Sequence, residues 1–324
     1  SLESYAQCPI RYAFREVLGL EEDERPEDTI SPLDRGTLVH GALEDFFLAI
    51  RETLKANAKA TFVRKDLAKA IDGVNLGFES LPLLDLALFE TASGTAAAAL
   101  LRECFAAKAG TYPYTSAEWH QWVDRVQESL SESAETSSEL SIFLENERST
   151  QEKGVFPWLV EYSFGIDESE GSDGPSYRIV DANDVERMQI RGYIDRVDVL
   201  VNDGIPSALV VRDYKVSSSM TKTSELKGGV LFQLPVYSQA LYSHLPGLES
   251  AGFFYHMING SEGLDATALS GTQDLAKRVG KTKPQIPQED LSVEVVNARI
   301  AAIDDGIRAD RFHHSLPRDE SSCK

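Results

Sequence analysis

In the run VRDYKV, Asp213 and Lys215 stand two residues apart, directly after the apolar stretch Ala208–Val211. That stretch reads as a buried strand. Residues two apart in a strand share a face, so Asp213 and Lys215 project together and Tyr214 points the other way. One hairpin earlier, GYIDRVDVL places Asp195 on a neighbouring strand. Two carboxylates on adjacent strands with a lysine beside them suit a hard divalent cation, since Mg²⁺ wants oxygen ligands and is usually held by one or two carboxylates plus substrate phosphate. The lysine would orient or help deprotonate a bound water, or stabilise charge building on a phosphate. D-x-K is short and common, however, and on spacing alone an ordinary ion pair at a strand end is the favoured reading.

Further residues bear on that balance. His40 and Glu44 in RGTLVHGALEDFF are four apart, on one helical face; a lone histidine in an amphipathic helix is commonly just a core or surface residue. Gln233 and Tyr237 in GGVLFQLPVYSQAL are also four apart, on a helix face packed in part against a sheet. Glu161 in LVEYSFG is an acid inside an apolar strand and reads as a solvent-facing position on an edge strand.

The elements that must position these groups follow from periodicity and turn signals. Residues 2–18 have apolar spacing for a helix. A second helix starts near SPLDRG, with Ser31 or Asp34 as its cap and Pro32 in the first turn. From about 50 to 155 the chain is helical and alanine-rich, with no alternating pattern. At 156 the character changes: FPWLVEYSFGI, SYRIV, RMQIRGYIDRVDVLV and SALVVRDYKV are rich in β-branched and aromatic residues. The turn signals EGSDGP, DAND and NDGIP separate them, which predicts an antiparallel meander. A helix over about 228–244, a strand over 252–258, another strand or loop, and helices over about 271–281 and 290–310 complete the chain. This order gives a mixed α/β (α+β) fold.

Composition narrows the class. With 324 residues, 42% apolar and 26% charged, the chain has material for a real core. No apolar stretch is long enough to cross a membrane, and no signal peptide is visible. The net charge of −20 argues against a surface that binds nucleic acid by bulk positive potential, though not against a local basic groove. The acidic runs LEEDERPED and DESEGSD read as solvated loops, and KRVGKTK (277–283) is the clearest basic run. Three cysteines, Cys8, Cys104 and Cys323, are too few for a disulfide framework and suit a reducing compartment. The chain begins at Ser1 and is expected to be a piece of a longer polypeptide.

Taken together, these stretches resemble the RecB-like branch of the PD-(D/E)XK nuclease superfamily, most closely the nuclease domain of AddB/RecB-type recombination nucleases. SLESYAQCPIRYAFREVLGL is similar to that branch's opening helix with its Cys-Pro, and LDRGTLVHGALEDFF to its histidine motif. IRGYIDRVDVL matches G-x-I-D-R-x-D, LVVRDYKVSS the D-Y-K motif and GVLFQLPVYSQAL the Q-L-P-x-Y helix; GFFYHMI and the terminal RADRFHHSLPRDESSC also fit. The motifs come in the family's order and span almost the whole chain, apart from the stretch 50–155.

The resemblance implies a restriction-endonuclease-like core, with a central mixed β-sheet flanked by helices. It implies one nuclease domain over 1–324, with the core in 1–50 and 156–324 and a helical insertion over about 51–155. It also implies roles: Asp195, Asp213, His40 and the Tyr214 backbone carbonyl as metal ligands, Lys215 acting on the attacking water, and Gln233 and Tyr237 positioning the scissile strand or the lysine. The metal would be Mg²⁺ or, with a histidine ligand, Mn²⁺. The reaction would be metal-dependent hydrolysis of DNA, as a cytoplasmic exonuclease module for recombination and repair.

Many members of the branch hold a [4Fe–4S] cluster, which needs four thiolates. Cys8 matches the first ligand and Cys323 the start of the C-terminal group, so a complete cluster is expected only in a longer parent chain. Cys104 matches no motif and reads as a small buried hydrophobe. For DNA, the candidate phosphate contacts are Arg35, Arg191, Arg196, Lys222, Lys227 and the 277–283 run, with Arg196 favoured because it follows Asp195. The expected partners are single-stranded DNA ends and a helicase module or partner subunit, with no membrane. The alternatives are a non-catalytic DNA-end-binding or scaffolding module with the same fold, and a stand-alone RecB-like nuclease of a defence system.

Overall fold

The computed structural model describes residues 2–20, 31–57, 81–166, 172–180, 185–216, 223–228, 231–245 and 249–312. Two short helices, α1 (Leu2–Gln7) and α2 (Pro9–Tyr12), open the chain, followed by a π-helical turn at Ala13–Val17. The long helix α3 (Pro32–Ala56) begins as its sequence predicts. Ser31 is the N-cap, its hydroxyl accepts from the Asp34 N–H at 3.0 Å, and Pro32 fills the first turn. Its buried face, Val39, Leu43, Phe46, Ile50 and Leu54 among others, recurs at helical spacing. Helices α4 (Leu86–Ser93), α5 (Ala97–Ala109), α6 (Ala117–Ser129) and α7 (Glu139–Glu152) follow.

The strands are β1 (Val155–Phe164), β2 (Tyr177–Val180), β3 (Glu186–Ile190), β4 (Gly192–Asn202), β5 (Ile205–Lys215), β6 (Glu249–Met257) and β7 (Ala266–Gly271). Helices α8 (Thr223–Lys227) and α9 (Gln233–His244) lie between β5 and β6, and α10 (Gln273–Arg278) and α11 (Val293–Arg308) follow β7. The five-stranded sheet has the order β1-β4-β5-β6-β7. Its β5–β6 pair is parallel and the other neighbours are antiparallel, so the sheet is mixed. The parallel pair requires a crossover, which α8 and α9 supply.

The simple meander is corrected here. Among the described residues, β2 and β3 pair only with each other, in a separate ribbon, which lets β1 pair directly with β4. The polar ends of the β3 segment are held by ion pairs from Arg187 to Asp304 (3.1 Å) and to Asp305 on α11.

Period-two alternation in β5 divides the core. Leu209 and Val211 join the cluster that includes Leu234, Val236 and Leu241 of α9 and Ile300 of α11. Ala208 and Val210 face a second cluster with Leu275 and Ala276 of α10, and Tyr214 packs with α3 and the helices after it. β5 is therefore buried on both faces, as its unbroken apolar run requires. The helices α4–α7 share this third cluster with α3, through residues such as Phe105, Trp122 and Phe143.

Candidate active site

Strand register assembles the acids. Val160 pairs with Arg196 and Tyr162 with Ile194, which sets Glu161 opposite Asp195. Arg196 pairs with Arg212, and one step further along the same antiparallel register Asp195 faces Asp213. Asp213 pairs with Tyr255 on β6. Glu161, Asp195, Asp213 and Tyr255 thus form one row across β1, β4, β5 and β6. Adjacent strands lie about 4.8 Å apart, and like charges directly opposite one another repel.

Helix α3 brings His40 to this row, its Nδ1 3.6 Å from Asp195 Oδ2. His40, Glu161 and Asp195 each offer a ligand atom, all within 4.8 Å of one another. Asp195 Oδ2 also accepts from the Tyr214 N–H at 2.8 Å, which locks the carboxylate to the next strand. Asp213 stands one step back. Its Oδ1 accepts from Gln233 Nε2 at 2.7 Å, and its Oδ2 is 2.5 Å from Lys215 Nζ. The lysine ammonium lies 5.2 Å from the centroid of the Tyr255 ring. Asp213 and Lys215 share a face as their spacing predicts, while Tyr214 is buried on the other side.

The electrostatics follow from crowding. Burial, and next the nearby Asp195, Glu44 and Asp213 charges, push Glu161 up to about 8. Burial, and then Asp195, push Asp213 up to about 7 against the pull of Lys215. Burial also raises Asp195, opposed by the Tyr214 N–H. Burial holds His40 below the usual imidazole range, although Asp213 and a hydrogen bond to the Tyr214 backbone pull it upward. A neutral imidazole beside three acids that resist ionising together is a donor set short of positive charge. A divalent cation fits it, because oxygen and imidazole ligands favour Mg²⁺ or Mn²⁺ and the ion would let every carboxylate ionise.

Two residues on α9 complete the cup. Gln233 is the first residue of the helix, which has no side-chain cap of its own. Glu3 of α1 supplies one: its Oε1 accepts from the Phe232 N–H at 2.6 Å and the Gln233 N–H at 2.9 Å. Tyr237 packs edge-on against Phe164 and lies so close to β4 that a Cβ on Gly192 would sit 2.9 Å from its ring and push the ring aside. Burial pushes the Tyr237 phenol up to about 12. The site opens into a cleft of about 630 Å³ lined by His40, Glu44, Glu161, Tyr214, Lys215 and residues of α3 and α5.

Several expectations change. Glu161 does lie on an edge strand, but it turns into the site rather than to solvent. Its backbone has φ +49°, rare for a residue with a side chain. Arg196 is wholly buried and cannot reach DNA. It pairs with Glu147 of α7 at 2.7 Å and with Asp198, and its Nη1 donates to the Tyr214 hydroxyl at 3.0 Å. Arg212 pairs with the same two acids, at 2.7 Å and 2.6 Å, closing a four-charge lattice behind the site. Arg35 pairs with Glu139, and Arg278 of the basic run is tied to Asp274 and to the Lys153 carbonyl. Arg191, Lys277 and Lys283 are exposed. Lys222, Cys323 and the side chain of Lys227 lie outside the described residues. Cys8 is buried at the start of α2, and burial pushes the partly buried Cys104 thiol up to about 11.

The family model for the PD-(D/E)XK nuclease superfamily matches residues 1–323. Among curated proteins, the B subunit of an ATP-dependent helicase/deoxyribonuclease from Moorella thermoacetica is 28% identical over 86% of this chain and 21% of its own length. The proteins of the same name from Carboxydothermus hydrogenoformans and Clostridium kluyveri are 26% and 25% identical, over 73% and 74% of this chain and 17% of their own lengths. The chain thus spans about a fifth of the length of the curated relatives it matches. Among the described residues, no helix is long and apolar enough to cross a membrane.

Proposed function

From the chain's place in the PD-(D/E)XK nuclease superfamily, to which it belongs, we propose that it is the DNA-cleaving module of a helicase–nuclease, an exonuclease that hydrolyses phosphodiester bonds with a divalent metal. The observation that carries this reading is the row of three carboxylates, closed by His40 at one end and Lys215 at the other.

Asp195, Asp213, His40 and the Tyr214 carbonyl would hold Mg²⁺ or Mn²⁺, and Glu161 joins them as a further ligand. Bound there, the ion supplies Lewis acidity, an activated water and a template for in-line attack. The chain's own groups do the rest. Gln233 donates to Asp213 Oδ1 and so would hold that carboxylate in one orientation. Lys215 Nζ, which lies between Asp213 Oδ2 and the Tyr255 face, would orient the attacking water and meet charge growing on the phosphate. Tyr237 supports the scissile strand from α9. The protein would work in the cytoplasm, on single-stranded ends delivered by a helicase module or partner subunit. Its single-domain organisation over 1–324 belongs to the same reading, supported by the shared packing of α3 with α4–α7. With three cysteines in all, the chain alone falls short of the four thiolates of a [4Fe–4S] cluster, so Cys8 and Cys323 would serve as ligands only beside others in a longer chain.

Labelled single-stranded DNA incubated with Mg²⁺ or Mn²⁺ tests the reading. The chain should degrade it, chelator should stop it, and Asp213→Ala and Lys215→Ala should each lower the rate by about 10²-fold or more. Equal inertness of parent and variants with either metal would favour a DNA-binding scaffold instead.

A further inference from the structure

The far wall of the cleft comes from a part of the chain that carries no motif. The last turn of α5 and the turn after it bring Lys108, Thr111 and Tyr112 into the same cleft as His40, Glu161 and Lys215. The Lys108 stem lies across Gly41, beside His40. A Cβ at Gly41 would stand 3.2 Å from Lys108 Cε, so the missing side chain makes the lysine's seat. Its ammonium is 3.1 Å from Asp45, and the side chain is 34% exposed. Lys108 and Lys215 are the two cations among the described residues that line this cleft, and Lys215 is engaged by Asp213. Lys108 has a partner too, but Asp45 is itself 42% exposed whereas Asp213 is buried, so in a chain of net charge −20 Lys108 gives the cleft a second positive charge for a phosphate, beside Lys215.

Tyr112 is half-buried and held from behind. It stacks on Tyr114 with centroids 6.1 Å apart and planes 12° apart, and Trp119 lies 5.9 Å away. A ring fixed in this way offers a base a stacking surface with little further loss of freedom. The cleft volume of about 630 Å³ falls in the small-ligand range of about 300–1,000 Å³. It suits a nucleotide or two of one strand, whereas the base faces of a duplex stay hidden in the stack.

Resting on the phosphodiester-hydrolysis reading above, we propose that Lys108 and Tyr112 hold a single DNA strand across the cleft, Lys108 on a backbone phosphate beside the scissile one and Tyr112 against an unstacked base. The motif-free helices then set strand choice and grip, while the sheet and α3 carry the chemistry.

Fluorescence anisotropy of a labelled oligothymidylate, titrated over a range of salt with the whole chain carrying Asp213→Asn, tests this. Lys108→Met keeps the stem and drops the charge; it should weaken binding several-fold at low salt and reduce the salt slope by about 0.7, the value for one single-strand phosphate. Tyr112→Ala should weaken binding about tenfold, and Tyr112→Phe should bind like the parent. Asp45→Asn removes the ion pair and keeps the cation, so it should bind as tightly as the parent or more so. Thermal melts of each variant separate loss of fold from loss of grip.

The proposal fails if Lys108→Met and Tyr112→Ala stay within about twofold of the parent with an unchanged salt slope. It fails as well if Asp45→Asn loses as much as Lys108→Met, which would make Lys108 a strut between helices, or if duplex competes as well as single strand. A native-sequence chain that cleaves DNA while these variants bind normally keeps the nuclease reading and removes this one. Binding that depends on Lys108 and Tyr112 without cleavage in any metal does the reverse.

Discussion

Glu161 stands directly across the β1–β4 ladder from Asp195, in a backbone conformation with φ +49°. Such strain costs about 1–3 kcal/mol and persists only where surrounding structure enforces it, commonly at functional sites. It turns a carboxylate toward an acid already present, which without a cation is repulsive. Glu161→Gln should therefore leave the metal-free fold as stable as the parent or more so, and lower Mn²⁺ affinity by tenfold or more, roughly 1.4 kcal/mol. Glu161→Gly, relieved of the strain as well, should melt no lower than Glu161→Gln. Calorimetric titration with Mn²⁺ and melting in chelator check both. Undiminished Mn²⁺ affinity in Glu161→Gln would remove Glu161 from the ligand set.

The crowded carboxyls also give stability a direction with pH. Asp213 near 7 and Glu161 near 8 both lie above their ordinary values, so the metal-free fold holds protons that the unfolded chain has already released. Their contribution is complete at low pH, below the unfolded values of 3.8 and 4.5, and is lost as pH rises through about 7 to 8. Metal binding requires the ionised forms and reverses this trend. The rise in melting temperature on adding Mg²⁺ should be larger at about pH 8.5 than at about pH 5.5. Scanning fluorimetry at both pH values, with and without chelator, reads it directly; an equal rise at both would contradict the assignment.

Glu3 fastens the active-site helix from the other end of the chain. Its carboxylate is the N-terminal cap that α9 lacks, and α9 begins with the residue that holds Asp213. Glu3→Ala should cost about 1 kcal/mol of stability, the usual value of a lost cap. It should also lower turnover more than it raises KM, because Gln233 loses its fixed start. Glu3→Gln keeps one acceptor oxygen and should recover much of both. Unchanged kcat in a destabilised Glu3→Ala protein would reduce the contact to a structural cap.

The parts of this site that are readable from sequence are those that period-two alternation controls. Asp213, Lys215 and the strand of Asp195 follow from it, as does the inward turn of Tyr214. The same rule, applied to Arg196, sends it to the face opposite Asp195; adjacency to an acid of the site suggests DNA contact, and alternation places it in the interior. Glu161 escapes because an acid on an edge strand normally faces water, and neither the local twist nor the approach of His40 on α3 is written in that strand. The direct β1–β4 pairing escapes as well, since turn signals mark where strands end but not which strands pair. His40, Gln233 and Tyr237 come from resemblance alone, because their helices say nothing of what lies opposite them. The stretch 50–155 shows helices and no motif, yet it sends Glu147 behind the site and Lys108 in front of it.

The lattice of Arg196, Arg212, Glu147 and Asp198 makes the sharpest claim about that helical stretch. All four groups are fully buried. Burial disfavours the Arg196 charge, but Asp198 and Glu147 outweigh it and hold that guanidinium well above its ordinary range. Two cations and two anions balance, so removing Glu147 alone strands a buried positive charge at a cost of about 3–5 kcal/mol. Glu147→Ala and Arg196→Ala should each lower the melting temperature sharply. The double variant should be less destabilised than the two singles added together, because one charge of each sign is gone. Arg196 also holds the Tyr214 hydroxyl, and the Tyr214 N–H holds Asp195. Tyr214→Phe, which keeps the ring and drops the hydroxyl, should therefore weaken Mn²⁺ binding severalfold with a smaller loss of stability than Arg196→Ala. A DNA titration makes the contrast plain: among variants that still fold, loss of Arg196 should leave the salt dependence of binding unaltered, as expected of an arginine that never meets a phosphate.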